Sequence, residues 1–150
     1  MDTSLQKDNL NFIRFLSFSK NYFRAYQELE KLEKSPIGFY PVKYYLLGHS
    51  IELSMKSILI RLGLSEEELK EFGHDLVELS NYLKENNYYS LNKYDKIILE
   101  STNIYYKKKQ FEYSKKGLKE LPQLSDLAKI ANDLVNFVEN DLHKVKRKKV

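Results

Sequence analysis

Apolar residues recur at steps of three and four along most of the chain, the spacing of one face of an α-helix. Over 5–33, Phe12, Phe15, Leu16, Tyr22, Phe23, Tyr26 and Leu29 keep this period and predict one long amphipathic helix, closed by "KSPIGFYP". Pro41 suits the first turn of a second helix, which runs apolar to Leu62 and stops at Gly63, a residue at ease in the left-handed cap conformation. Ser65 followed by Glu68 has capping-box spacing and predicts a short helix that Gly73 breaks. A third main helix over 75–85 carries Leu76, Leu79, Tyr82 and Leu83 on one face. The next, over 91–107, has Tyr94, Ile97, Ile98, Ile104 and Tyr105 as its apolar positions. The last begins after Pro122 with Ser125 as its expected cap, and Leu127, Ile130, Ala131, Leu134, Phe137, Val138 and Leu142 hold the helical period. No segment of useful length alternates with period two, so the expected fold is an all-α up-and-down bundle of four main helices plus one or two short ones.

A chain of 150 residues suits one domain, able to bury about 70 % of its unfolded surface around a single core. The expected domain spans 1–143, with 144–150 as a basic tail. The absence of cysteine excludes a disulfide scaffold and thiolate chemistry in this chain, and fits a reducing compartment. "MDTSLQKDNL" lacks the basic and apolar segments of a signal peptide, and no apolar run approaches the roughly 20 residues of a membrane span. The expectation is a cytoplasmic protein with no membrane partner. The net charge of +4 is local: without the tail's Lys144, Lys146, Arg147, Lys148 and Lys149, 20 basic residues face 21 acidic ones.

Within the second helix, "LLGHSIELSMKSIL" places His49, Glu52 and Lys56 in one row, at spacings of three and four. Leu47, Ile51, Met55, Ile58 and Leu62 crowd the opposite side and are expected to take the core. The polar row reads as solvent-exposed, as a salt-bridge ladder against a neighbouring helix, or as a buried ladder at a homodimer seam. "FGHDLVEL" adds His74 and Asp75 at the start of a helix, where the aspartate complements the dipole and the histidine side chain suits capping. The short connection from the second helix also lets His74 point back toward His49 and Glu52. Two histidines and two carboxylates have the chemistry of metal ligands, but nothing in their spacing demands a metal, and none is expected.

"IYYKKKQFEYSKKG" interleaves aromatic and basic residues. Lysines neutralise phosphates while exposed tyrosines stack on unpaired bases, so Tyr106, Lys107, Lys108, Lys109, Tyr113, Lys115 and Lys116 are the candidates for contact with single-stranded nucleic acid. The alternative is that Tyr105 and Phe111 belong to the core and the lysines form a solubilising rim.

The two motifs "YYLLGHSIELSMKSILIRLG" and "FGHDLVELSNYL", followed by this aromatic-basic segment, resemble the bacterial branch of the HEPN-like helical domains over roughly residues 20–140. The resemblance implies a four- or five-helix bundle, commonly a homodimer, without a cofactor. It implies a setting among RNA-cleaving toxins with cognate antitoxins, phage-defence effectors, and inactive members that bind RNA or a nucleotide. Active members use an arginine followed four to six residues later by a histidine. Here Arg14, Arg24, Arg61 and Arg147 are the only arginines and none has that spacing; Lys70, four before His74, is not equivalent for bidentate phosphate contact. The expectation is therefore a non-catalytic or weakly catalytic RNA- or nucleotide-binding module. The alternatives are a metal-independent ribonuclease using His49 and His74, and a homodimerisation or interaction module.

Overall fold

The helix expected over 41–62 lies at the centre of the structure. The computed structural model describes residues 3–32, 41–109 and 121–142. Among these are six helices: α1 (Thr3–Glu30), α2 (Pro41–Arg61), α3 (Glu66–Lys70), α4 (Leu76–Glu85), α5 (Lys93–Tyr106) and α6 (Leu124–Asn136), the last running on into a π-helical turn, Phe137–Asp141. No strand occurs among the described residues, and the fold is all-α. The tail from Lys144 lies outside the described residues, as do most of "KSPIGFYP" and the segment holding Phe111, Tyr113, Lys115 and Lys116. None of the described helices is long and apolar enough to cross a membrane.

Helix α2 touches every other helix and the π-turn. Fifteen of its 21 residues are buried, more than a single amphipathic face supplies. Leu47, Ile51, Met55 and Ile58 form the core with Leu76, Leu79 and Leu83 of α4, Leu99 of α5, and Leu127, Ile130 and Leu134 of α6. Burying each such side chain contributes about 1.5–3 kcal/mol. Beside Leu53, Leu59 and Ile60, the other buried residues of α2 include polar ones on two of its sides.

Toward α1 the polar side is a clasp of serines, all shielded from solvent. The Ser19 hydroxyl donates to the Ser50 carbonyl at 2.9 Å, and the Ser50 hydroxyl donates to the Ser19 carbonyl at 2.8 Å. With the Ser19 proton so committed, the Ser54 hydroxyl is the donor in its contact with Ser19 Oγ. Small side chains permit a close approach of the two helices, and their hydroxyls satisfy one another where no water reaches.

Local signals set the ends of these elements. Gly63, at φ +113°, closes α2: the Leu64 amide reaches the Leu59 carbonyl and the Gly63 amide the Ile60 carbonyl, both at 3.0 Å, the bond pair of a Schellman motif. The Ser65–Glu68 capping box forms as its spacing predicts. At α6, Gln123 rather than Ser125 occupies the cap position and makes no side-chain capping bond. Ser125 falls one residue inside the helix, where its backbone is already helical.

Helix α5 departs furthest from expectation. Tyr94, Ile97 and Ile104 are 59 %, 52 % and 57 % exposed, while Asp95, Ile98, Leu99, Thr102, Asn103 and Tyr106 face inward. The inward row keeps the three-and-four spacing, but half of its members are polar and each has a partner. Asp95 meets Lys129, Thr102 donates to the Ile98 carbonyl, and Asn103 holds the start of α4. The bonds of Asp95 and Asn103 to other elements, together with the apolar Ile98 and Leu99, select this face.

The clasp sets an expected outcome for unfolding experiments. Ser50→Leu places a branched side chain where α1 and α2 meet and lowers stability by about 1–3 kcal/mol or more; Ser19→Ala, which loses only hydrogen bonds, lowers it by about 1 kcal/mol. Urea unfolding monitored by circular dichroism checks both, as a lower midpoint at unchanged slope.

Candidate functional site

On the side of α2 away from the serines, Glu52 and Lys56 are buried within the chain itself, at 2 % and 8 % exposure. This corrects both the solvent-exposed and the dimer-seam readings of the polar row: the cover comes from α5 and the turn between α3 and α4. Lys56 Nζ donates to Glu52 Oε2 at 3.0 Å and to the Gly73 carbonyl at 2.8 Å. Gly73 adopts φ +57°, a left-handed conformation that turns the chain after α3. Its carbonyl is thereby presented to the ammonium, and His74 to the carboxylate.

Glu52 Oε1 accepts two further bonds, from the Tyr106 hydroxyl at 2.7 Å and from His74 Nδ1 at 2.9 Å. Burial by itself would raise the Glu52 carboxyl; the Lys56 charge and the bonds from Tyr106, His74 and Lys56 outweigh it and hold the group below the usual carboxylate range. An ionised carboxylate only accepts, so both Tyr106 and His74 are donors here. A phenol has one proton, and Tyr106 spends it on Glu52. His49 Nδ1, 3.0 Å from the Tyr106 oxygen, is therefore a donor too. Both imidazoles carry hydrogen on Nδ1, and Nε2 is the nitrogen through which each neutral ring accepts a proton.

His49 is packed between aromatic rings. Tyr45 stacks on it with centroids 5.5 Å apart at 15°, and Tyr22 of α1 meets it edge-on at 4.4 Å. Tyr106 lies against the α2 backbone at Gly48, where a Cβ would come 2.5 Å from Tyr106 Cδ1. His74 stands at the edge, its side chain 43 % exposed. The structure thus joins His49, Glu52, Lys56 and His74, and adds three groups that sequence reasoning missed as site members: Gly48, the Gly73 carbonyl and the Tyr106 hydroxyl.

Two expectations are corrected. Tyr106 is 5 % exposed, so its ring is a core element bonded to Glu52 and not a platform for nucleic-acid bases. Asp75, not His74, caps α4: its side chain accepts from the Glu78 amide at 3.0 Å and from Asn103 Nδ2 at 2.9 Å, while Asn103 Oδ1 takes the Leu76 amide at 2.8 Å. Asp75 is spent on the helix start and does not join Glu52. Burial would raise its carboxyl, and the Glu78 amide, Asn103 and the nearby Lys107 charge bring it below its ordinary value. Lys107, Lys108 and Lys109 are exposed directly after Tyr106. Tyr113, Lys115 and Lys116 lie outside the described residues.

Chemically the centre is a carboxylate that fixes the orientation of an imidazole, backed by a buried ammonium and a phenol. Such an arrangement holds a histidine in one tautomer for proton transfer or for hydrogen bonding to an anion. Among the described residues no group of three or more carboxylates and histidines is placed to hold a metal ion. Comparison with family models, curated proteins and solved structures finds no match for the chain.

Two outcomes test this geometry. Gly48→Ala drives the Tyr106 ring off α2 and lowers stability by about 1–3 kcal/mol, with the ring signals of Tyr106 moving in the proton spectrum. The folded Glu52 carboxyl binds its proton more weakly than the unfolded one, so its contribution is present above the unfolded carboxylate range and fades as pH falls through the lower folded value. Glu52→Gln strands Lys56 and lowers stability by about 3–5 kcal/mol near neutral pH. Urea midpoints measured from pH 7 to pH 2 check this, and the gap to wild type narrows toward the acid end.

Proposed function

We propose that this chain is a HEPN-like helical module that binds RNA or a nucleotide through the surface joining His74 to Lys107, Lys108 and Lys109. The observation that carries the reading is His74 itself. A buried carboxylate fixes its Nδ1, its side chain is nearly half exposed, and its Nε2 makes no hydrogen bond among the described residues. Lys107 lies close enough to Asp75, the next residue, to act on its carboxyl. An oriented imidazole beside exposed lysines offers donors and positive charge to phosphate oxygens. The resemblance of the two Gly-His motifs supports reading the module as part of a bacterial toxin-antitoxin or phage-defence system, acting as a homodimer with a cognate antitoxin or partner protein. The absent arginine-histidine spacing favours binding without cleavage.

A second reading, a metal-independent ribonuclease, draws support from the hydrogen placement. With both Nδ1 atoms engaged as donors, the Nε2 atoms of His49 and His74 are the acid-base positions: one ring, entering neutral, takes the proton of a 2′-hydroxyl, and the other, entering as imidazolium, protonates the leaving oxygen.

Fluorescence anisotropy with labelled single-stranded RNA and tRNA, in excess EDTA and over a potassium chloride series, tests the proposal. The expected result is intact RNA and salt-sensitive binding. Replacing Lys107, Lys108 and Lys109 together by Glu flattens the log–log salt dependence by about 2, and His74→Ala weakens binding with a smaller change of slope. Cleavage that survives EDTA and is lost in His49→Ala and His74→Ala establishes the second reading instead. Absence of binding to RNA and to a nucleotide panel at low salt overturns both.

A further inference from the structure

The described arginines are not alike. Arg14 pairs with Glu66 at 2.7 Å and lies over the Phe15 ring. Arg61 lies over Phe12 and donates to Asn9 at 3.3 Å. Arg24 has neither a carboxylate nor a ring against it among the described residues, and it stands in a groove of about 530 Å³ along α1. Lys20, Arg24, Gln27 and Lys31 follow one another at steps of four, three and four, so they form one row. Phe23 from the same helix and Val135 from α6 complete the lining on the apolar side.

The charges in this row are unequally spent. Lys20 is paired with Glu139, and Lys31 with Glu28, whose carboxylate also lines the groove one turn from Arg24; among the described residues Arg24 itself makes no ion pair. A guanidinium is a planar fork of donors suited to two oxygens of one phosphate. Next to it, Phe23 and Val135 suit a flat, largely apolar group. An acidic peptide would need two residues, one for the guanidinium and one for that floor, whereas a nucleotide supplies a phosphate and a base within one unit. The volume is within the range of small-ligand sites. Tyr22 contacts His49 on the opposite flank of α1, about 200° around the helix from Arg24, so this groove is separate from the His74 surface.

We infer that the α1–α6 groove binds a nucleotide, its phosphate on the Arg24 guanidinium and its base against Phe23 and Val135. This rests on the reading of the chain as an RNA- or nucleotide-binding module and places a second contact on it. The nucleotide is either free or one unit of an RNA strand.

The full-length chain is titrated with AMP, inorganic phosphate and a decauridylate strand, following ¹H–¹⁵N spectra and affinity, for wild type, Arg24→Glu, Arg24→Lys and His74→Ala. Unchanged circular dichroism of the Arg24 variants establishes that they fold. The expected result is AMP binding that perturbs Phe23 and Arg24, weakens about tenfold or more in Arg24→Glu and falls part-way in Arg24→Lys. Strand binding with the same dependence on Arg24, and no AMP binding, identifies RNA as the source. Affinities in Arg24→Glu within twofold of wild type overturn the assignment, as does inorganic phosphate binding as tightly as AMP. If the His74 surface is the reading at fault, His74→Ala binds decauridylate as wild type does, while the AMP arm still decides the groove.

Discussion

An ionised carboxylate with almost no solvent contact, as at Glu52, is tolerated only when each of its oxygens is met by donors, because an unpaired buried charge costs several kcal/mol. That requirement reaches well beyond α2. Lys56 supplies the counter-charge from one turn away and then needs an acceptor of its own, which the Gly73 carbonyl provides. The remaining oxygen needs Tyr106 and His74. Tyr106 in turn reaches Glu52 only because residue 48 has no side chain to block its ring. One carboxylate thus sets the position of α2, of the turn between α3 and α4, and of the end of α5. Among the described residues every fully buried polar side-chain atom is satisfied.

A buried ion pair of this kind is poor evidence for stability as such, since well-packed apolar residues often serve as well or better. Its effect is on specificity. Leucines on α2, α4, α5 and α6 would tolerate small slides of one helix along another, whereas the bonds at Glu52 require three elements to stand in one register. The serine clasp does the same on the opposite side of α2, where hydroxyls and carbonyls of Ser19 and Ser50 match only at one axial position. Helix α2 is therefore held by apolar packing in the middle and by directional bonds on two flanks.

Much of the architecture is legible in the sequence, because the three-and-four periodicity, Pro41, Gly63 and the Ser65–Glu68 pair are local signals that tertiary contacts reinforce. The stripe of His49, Glu52 and Lys56 is legible as well, and so is the short connection that brings His74 back to it. What is hidden is the inward face of α5. Apolarity points to Tyr94, Ile97 and Ile104, and the structure buries Asp95, Asn103 and Tyr106 instead, each of whose partners lies on another helix or turn. A polar residue that is buried because of a distant partner leaves no periodic mark of its own. Gly48 has the same character: its meaning depends on a ring 58 positions further along. The one available signal was negative, a glycine in the middle of an apolar helix, where its entropic penalty asks for a packing reason.

The same network relates the buried centre to the surface. Tyr106 is the last residue of α5, and Lys107 to Lys109 follow it directly into solvent. The basic segment therefore starts from an anchored residue and not from a fraying helix end. His74 is fixed from the other side by the same Glu52 oxygen that holds Tyr106, so the imidazole and the start of the lysine run are positioned through a single atom. Binding groups held by rigid elements lose less freedom when they meet a ligand than groups on a loose loop. Displacing Tyr106 from Glu52 disturbs His74 and the lysines together, which makes the buried phenol, invisible from outside, the residue on which the geometry of the exposed surface turns.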